Sequence, residues 1–231
     1  MPNGARPLFL TARARNGLLR PMRFQTLFEG RHIFAVLFAL LIAATVVHWW
    51  WLVIVCTLLV FFCVNFFRDP EREIPPGDDV VVAAADGVVM DILEIDEDEV
   101  LKTKCRRVGI FLSVFDVHVN RTPIAGKITY TQHHPGKYLD ARNPECSKLN
   151  EALTWAFAGT KATLVVRQIT GAIARRIVPW AQVGQSVEKG FRFGMIRFGS
   201  RTEIYLPLDA EVTVKIGDKV AGGQTVIARL K

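Results

Sequence analysis

Cysteine is scarce in this chain of 231 residues, and the four present form no pattern. Cys56 and Cys63 lie in an apolar run and Cys105 and Cys146 stand alone, which excludes a disulfide framework and fits a reducing compartment. Cys105, Cys146 and the pair His133-His134 match no standard zinc spacing, so no metal is expected. Acidic residues are almost missing from the first 31 positions, where Glu29 faces Arg6, Arg13, Arg15, Arg20, Arg23 and Arg31. Formal charge is missing altogether from His32 to Phe67. The net charge of +7 comes without a nucleic-acid-binding motif, so the expected partner is an anionic membrane and not nucleic acid.

What is present divides the chain into a basic segment (1–31), an apolar segment (32–67) and a catalytic β-rich domain (68–231). As one helix, residues 33–67 would span about 50 Å at 1.5 Å per residue, against a hydrocarbon core of about 30 Å. Near its middle stands His48-Trp49-Trp50-Trp51, and amphipathic aromatics prefer the membrane boundary. The expectation is therefore a helical hairpin with legs near 33–47 and 52–67, spanning or shallowly re-entrant, with both ends on one side. The arginines before it place that side in the cytoplasm. A cleaved signal peptide fits less well, because the apolar stretch is too long and no A-x-A site follows it.

After "FFRDPEREIPPGDD" the pattern becomes short runs of Val, Ile, Thr and Phe broken by Gly, Asp and Pro: "VVVAAADGVVMDIL", "RRVGIFLSVFDVHVNR", "AGKITYTQ" and "ATLVVRQITGAIARRIV". These read as strands of a compact, mainly β (α+β) barrel or sandwich in which helix is minor. "VGQSVEKGFRFGMI" and "IGDKVAGGQTVIARL" echo each other, each with a Gly able to make a tight turn before an apolar strand. The layout resembles the half-motifs of biotinyl and lipoyl carrier domains. Lys215 and Lys219 do not occupy the modified position of those domains, so the echo speaks to fold alone.

In "RFGMIRFGSRTEIYLP" the pair Gly199-Ser200 interrupts an apolar and basic run. It is no hydrolase elbow, since G-x-S-x-G needs glycines on both sides and a following helix. Taken alone it reads as a turn. The dipeptide also suits another reaction, in which the serine hydroxyl attacks the preceding carbonyl, turns amide into ester, and leaves a pyruvoyl group after β-elimination. A lone His118 in a strand and Asp86 before Gly87 have plain structural readings too.

"RFGMIRFGSRTEIYLP", "FLSVFDVHVNRTPIAGKI", "AADGVV", "NFFRDPEREIP" and "GAIARRIVPWAQVGQSVEKG", in that combination, resemble the short prokaryotic form of phosphatidylserine decarboxylase, from about Asn65 to the C-terminus. The resemblance implies self-cleavage between Gly199 and Ser200 into a β chain (1–199) and an α chain (200–231) that stay associated. It implies that Ser200 becomes the pyruvoyl group that takes the substrate amine as a Schiff base, with no metal and no diffusible cofactor. His118 matches the family's processing base, which could also donate a proton in turnover, and Asp86 matches the carboxylate that orients it. Long-form members carry a further histidine where this chain has Phe115. The implied reaction converts phosphatidylserine to phosphatidylethanolamine and CO₂ at the bacterial cytoplasmic membrane, with the catalytic domain on the cytoplasmic side. Arg121 and Arg201, next to matched motifs, are the candidate substrate-binding arginines. The sequence leaves open whether copies associate. A non-enzymatic membrane adaptor would stay uncleaved, and a decarboxylase of soluble amino acids would have no use for the apolar segment.

Overall fold

The computed structural model describes residues 25–173 and 176–231. Most of the expected basic segment therefore lies outside the described residues. The described chain begins with helices α1 (Gln25–Glu29), α2 (Arg31–Val46) and α3 (Trp50–Phe66). α2 and α3 form a hairpin whose turn is made by His48, at a φ of +60°. α2 holds 16 residues and α3 17, or about 24 and 26 Å at 1.5 Å per residue. Among the described residues no helix is long and apolar enough to cross a membrane. Both helices are apolar on most sides, and Phe38, Ile42, Trp50, Trp51, Leu58 and Phe61 are exposed.

The rest is mainly β, as the short apolar runs predict. The strands are β1 (Val80–Val82), β2 (Gly87–Glu97), β3 (Thr103–Leu112), β4 (Val119–Arg121) and β5 (Gly126–His134). After helix α4 (Cys146–Leu149) come β6 (Ala152–Ala158), β7 (Thr163–Ile169), β8 (Arg176–Pro179), β9 (Ser186–Val187), β10 (Arg192–Arg197) and β11 (Ser200–Leu206). The chain closes with β12 (Glu211–Val212), β13 (Lys219–Val220) and β14 (Val226–Arg229). An eight-stranded, curled sheet runs β13-β2-β3-β11-β7-β6-β5-β9, and two three-stranded sheets, β1-β14-β12 and β4-β10-β8, complete the domain. Every named pairing is antiparallel.

The sequence echo becomes an approximate two-fold. β9 pairs with the start of β5 at one edge of the large sheet, and β13 with the start of β2 at the other. Gly184 and Gly217 have φ of +91° and +92°, and Gly190 and Gly223 +78° and +79°. Their bonds match too: Gly184 N–H to Ile128 O and Gly217 N–H to Val89 O, at 2.7 and 2.8 Å, then Gly190 N–H to Thr122 O and Gly223 N–H to Ala83 O, at 2.9 and 2.8 Å. Between the sheets lies an apolar core that includes Val89, Ile110, Ile128, Trp155, Phe157, Val166, Phe193 and Ile204, all at most 1% exposed.

Candidate active site

Ser200 opens β11, and the two residues before it carry the chain from one sheet to another, since β10 belongs to the sheet with β4 and β8 while β11 lies between β3 and β7. That switch is the reason for the Gly-Ser interruption. Phe198 and Gly199 both take left-handed backbone, at φ of +64° and +66°. Glycine does so freely, but a bulky side chain there costs about 1–3 kcal/mol, and such strain persists only where surrounding structure enforces it. The Ser200 side chain is fully buried, and its Oγ has no hydrogen-bond partner. Leaving a buried hydroxyl unpaired costs about 1–3 kcal/mol, so strain and desolvation meet at one peptide bond.

His118 reaches this turn from the loop between β3 and β4. The loop is closed by Asp116, whose carboxylate accepts from the Ser113 N–H (2.9 Å) and hydroxyl (2.7 Å). The Gly199 N–H donates to His118 Nε2 at 3.0 Å. A backbone N–H can only donate, so Nε2 is unprotonated and Nδ1 carries the hydrogen, which it gives to the Asp116 carbonyl at 2.9 Å. Burial pushes the His118 pKa down to about 4, against Asp116, which raises it. The result is a neutral imidazole whose basic nitrogen points at the residue before the serine.

Asp86 and His118 make no bond to each other. Asp86, in the turn between β1 and β2, pairs with Arg72 at 2.6 Å and accepts the Gly222 N–H at 2.8 Å. Burial raises its pKa, with Arg72 opposing. The Nδ1 side of the imidazole meets the Asp116 carbonyl, a contact that sequence reasoning missed; "SVFDVH" carried its signal as a Ser-to-Asp turn two residues before the histidine. Gly87, after Asp86, has a φ of +150°, and a Cβ there would stand 2.1 Å from the Phe111 carbonyl oxygen. Only glycine lets β2 come that close to β3.

The two arginines proposed as substrate ligands are both engaged elsewhere. Arg121, 3% exposed, pairs with Asp69 at 2.7 Å and donates to the carbonyls of Pro70 (2.9 Å) and Gly190 (3.3 Å). Burial and the neighbouring Arg192 lower its pKa to about 10. Arg192 binds the same Asp69 at 2.5 Å, so the segment after the hairpin is strapped to the domain. Arg201, one residue past Ser200, points to the opposite face of the sheet by strand alternation. There it binds Asp91 and Glu203. Glu203 also accepts from Ser147 and Tyr205, and Arg107 stands 3.5 Å away. Burial disfavours the Arg201 charge, but Glu203 and Asp91 more than offset it and its pKa is raised.

Cys105 and Cys146 are separately buried, and His133 and His134 pair with Glu151 and Glu99 at 3.0 Å each. No group of three metal-binding side chains is found among the described residues.

A serine sealed within its own chain, behind a strained peptide and beside a neutral imidazole, defines a class of β-rich protein whose site is built from the chain's own backbone and not only from a pocket for outside molecules. Within that class, the chain belongs to the phosphatidylserine decarboxylase family, whose model matches residues 59–228. Among its relatives, the phosphatidylserine decarboxylase proenzyme of Symbiobacterium thermophilum is 48% identical over 169 residues, covering 71% of this chain and 77% of the relative. The proenzyme of Carboxydothermus hydrogenoformans is 46% identical, covering 73% and 79%. That of Magnetococcus marinus is 44% identical, covering 73% and 78%.

Proposed function

We propose that this chain is a precursor that cuts itself between Gly199 and Ser200 and then, with a pyruvoyl group made from Ser200, decarboxylates phosphatidylserine to phosphatidylethanolamine and CO₂ at a membrane surface. The observation that carries the reading is the buried, unpartnered Ser200 hydroxyl behind two left-handed residues and beside neutral His118. Family membership supports the reaction class, and the name proenzyme, borne by the relatives, supports a precursor.

In this reading His118 Nε2 exchanges the Gly199 N–H for the Ser200 hydroxyl and takes its proton as Oγ attacks the Gly199 carbonyl carbon. The bond from that carbon to the Ser200 nitrogen breaks, the proton passes to the nitrogen, and the peptide becomes an ester. Loss of the Ser200 α-proton expels the Gly199 carboxylate, and hydrolysis of the resulting enamine, as its imine, gives the ketone and ammonia. The pyruvoyl group supplies the electron sink for decarboxylation of an amine substrate. Arg121 and Arg201 act as anchors of the site's frame. Asp86 holds Gly222, and with it the C-terminal segment, against the strands next to the site.

The two chains stay together because the α chain supplies β11 between β3 and β7, β13 on β2, and β14 between β1 and β12. The exposed apolar hairpin lies in the membrane, with the arginines before it holding the foot and the catalytic domain at the cytoplasmic face. Intact mass of the purified protein beside a Ser200→Ala variant tests the reading. The expected result is two wild-type fragments, 1–199 and 200–231, the second beginning with pyruvoyl, an uncleaved variant, and CO₂ release from phosphatidylserine vesicles by the wild type alone. A wild-type chain that stays intact when folded with lipid overturns it. Protease protection on sealed vesicles checks the topology, with the domain expected on the cytoplasmic side.

A further inference from the structure

The foot of the hairpin is built into the turn that holds Ser200. Phe66, the last residue of α3, is fully buried with its ring centroid 4.3 Å from the His118 imidazole and 4.4 Å from the Phe198 ring. The second pair is stacked, at 24°. Phe67 packs edge-on against Phe66 at 5.1 Å and against Phe198 at 6.3 Å. From α1, Glu29 binds Arg197 at 2.5 Å, and just past α3, Arg68 donates to the carbonyl of Phe115, in the loop that carries His118, at 2.7 Å. The hairpin thus grips both the base and the residues leading into the scissile peptide.

We propose that Phe66 is a positioning residue for self-cleavage, fixing the His118 ring and clamping Phe198 in its left-handed conformation, so that the precursor cuts only when the hairpin foot is docked. This rests on the self-cleavage reading above. Two physical arguments support it. A bulky residue leaves left-handed backbone unless neighbours hold it there, and the Phe66 ring lies flat against Phe198. Phe66 also seals the imidazole from water, and burial is the largest influence keeping His118 neutral. Among the described residues, the charged groups acting on that ring are Asp116, on its own loop, and Arg68, beyond α3.

The test compares cleavage of wild-type, Phe66→Ala, Phe66→Leu and Glu29→Gln precursors in lipid across pH, with folding checked separately by thermal unfolding of each change in a Ser200→Ala background. Phe66→Ala is expected to slow cleavage by about 10- to 100-fold, the scale set by small misplacements of a reacting group. It also moves the acid limit of cleavage up, towards the ordinary histidine pKa of about 6.5. Phe66→Leu keeps the apolar cover and so keeps the low acid limit, while cutting slower than wild type for want of the stack. Glu29→Gln slows cleavage without moving the limit. A merely structural role would lower the unfolding temperature and leave the acid limit in place.

The proposal is overturned if folded Phe66→Ala cuts at the wild-type rate with an unmoved limit. If Phe66→Ala does not fold, wild-type rates in both Phe66→Leu and Glu29→Gln overturn it. A wild-type chain that never cuts is a different result, one that removes the self-cleavage reading and this inference with it.

Discussion

In one half of the domain the Leu230 N–H donates to Asp79 O at 2.7 Å just before β1; in the other the Ile196 N–H donates to His118 O at 3.2 Å just before β4. Around these bonds the halves share their positive-φ glycines, their short edge strands and a register shift in the pairs β1·β14 and β10·β4. Past this point they differ. In the first half Asp79 makes a surface ion pair to Arg229 at 3.0 Å. The second runs on through Phe198 and Gly199 into the middle of the large sheet and buries His118. The comparison teaches that the repeat supplies the frame, and that the left-handed turn and the buried, unpartnered Ser200 hydroxyl lie where one copy is extended beyond it.

The largest effect is expected beneath that extension. Removing Glu203 leaves Arg201 buried with Asp91 as its remaining ion-pair partner and takes Arg107's nearest glutamate away. Breaking a buried pair costs about 3–5 kcal/mol, so Glu203→Ala in a Ser200→Ala precursor should lose about that much in urea unfolding. A loss below about 1 kcal/mol would mean that the second half is not tied down from this face.

Next comes pH, where the matched positions behave differently. The folded state holds His118 neutral to about pH 4, whereas the unfolded chain takes a proton near 6.5. Stability therefore falls as pH drops from about 6.5 to about 4, by up to about 3 kcal/mol, and this contribution levels off below. Asp79, whose pKa is lowered by backbone and Arg229 hydrogen bonds, adds stability that is lost only as pH falls below its ordinary value. Replacing His118 with Gln should flatten the slope between pH 4 and 6.5; an unchanged slope there would rule out His118 as its source.

The smallest effects probe the frame itself. Gly184 and Gly217 share a left-handed φ and open surroundings, so Ala at either should cost about 1–2 kcal/mol, equally in both. A gap of more than about 1 kcal/mol between them would break the symmetry argument at its simplest point. Gly190→Ala should cost more, since its Cβ would stand 2.3 Å from Ile74 Cδ1.

Local signals carried much of this in the sequence. The hairpin turn was legible because four consecutive amphipathic residues, His48 to Trp51, cannot all sit in hydrocarbon, and the helices found end within two residues of the expected legs. The paired glycines were legible because a tight turn needs them in any context. Strand partners were not, since Lys219 of β13 finds Val88 of β2, and Val187 of β9 finds Gly126 of β5, far outside the reach of any local pattern. Nor was β6, whose "ALTWAFA" alternates too weakly to be told from a buried helix segment. Within the site, the run around Ser200 signalled a break but not a change of sheet. The links from Asp69 to Arg121 and from Phe66 to His118 each join residues some fifty positions apart, which no spacing rule reaches.

The place of β11 gives the molecule a direction in time. If the chain is cut after Gly199, as proposed, the fold would stand, because that strand is laced between β3 and β7 before its covalent tie is lost. Once unfolded, however, the two pieces would have to find each other by diffusion and rebuild the middle of a sheet around a strand that arrives unattached. The mature protein would then be a one-way product: assembled while continuous, durable while assembled, and dependent on new synthesis once it has come apart.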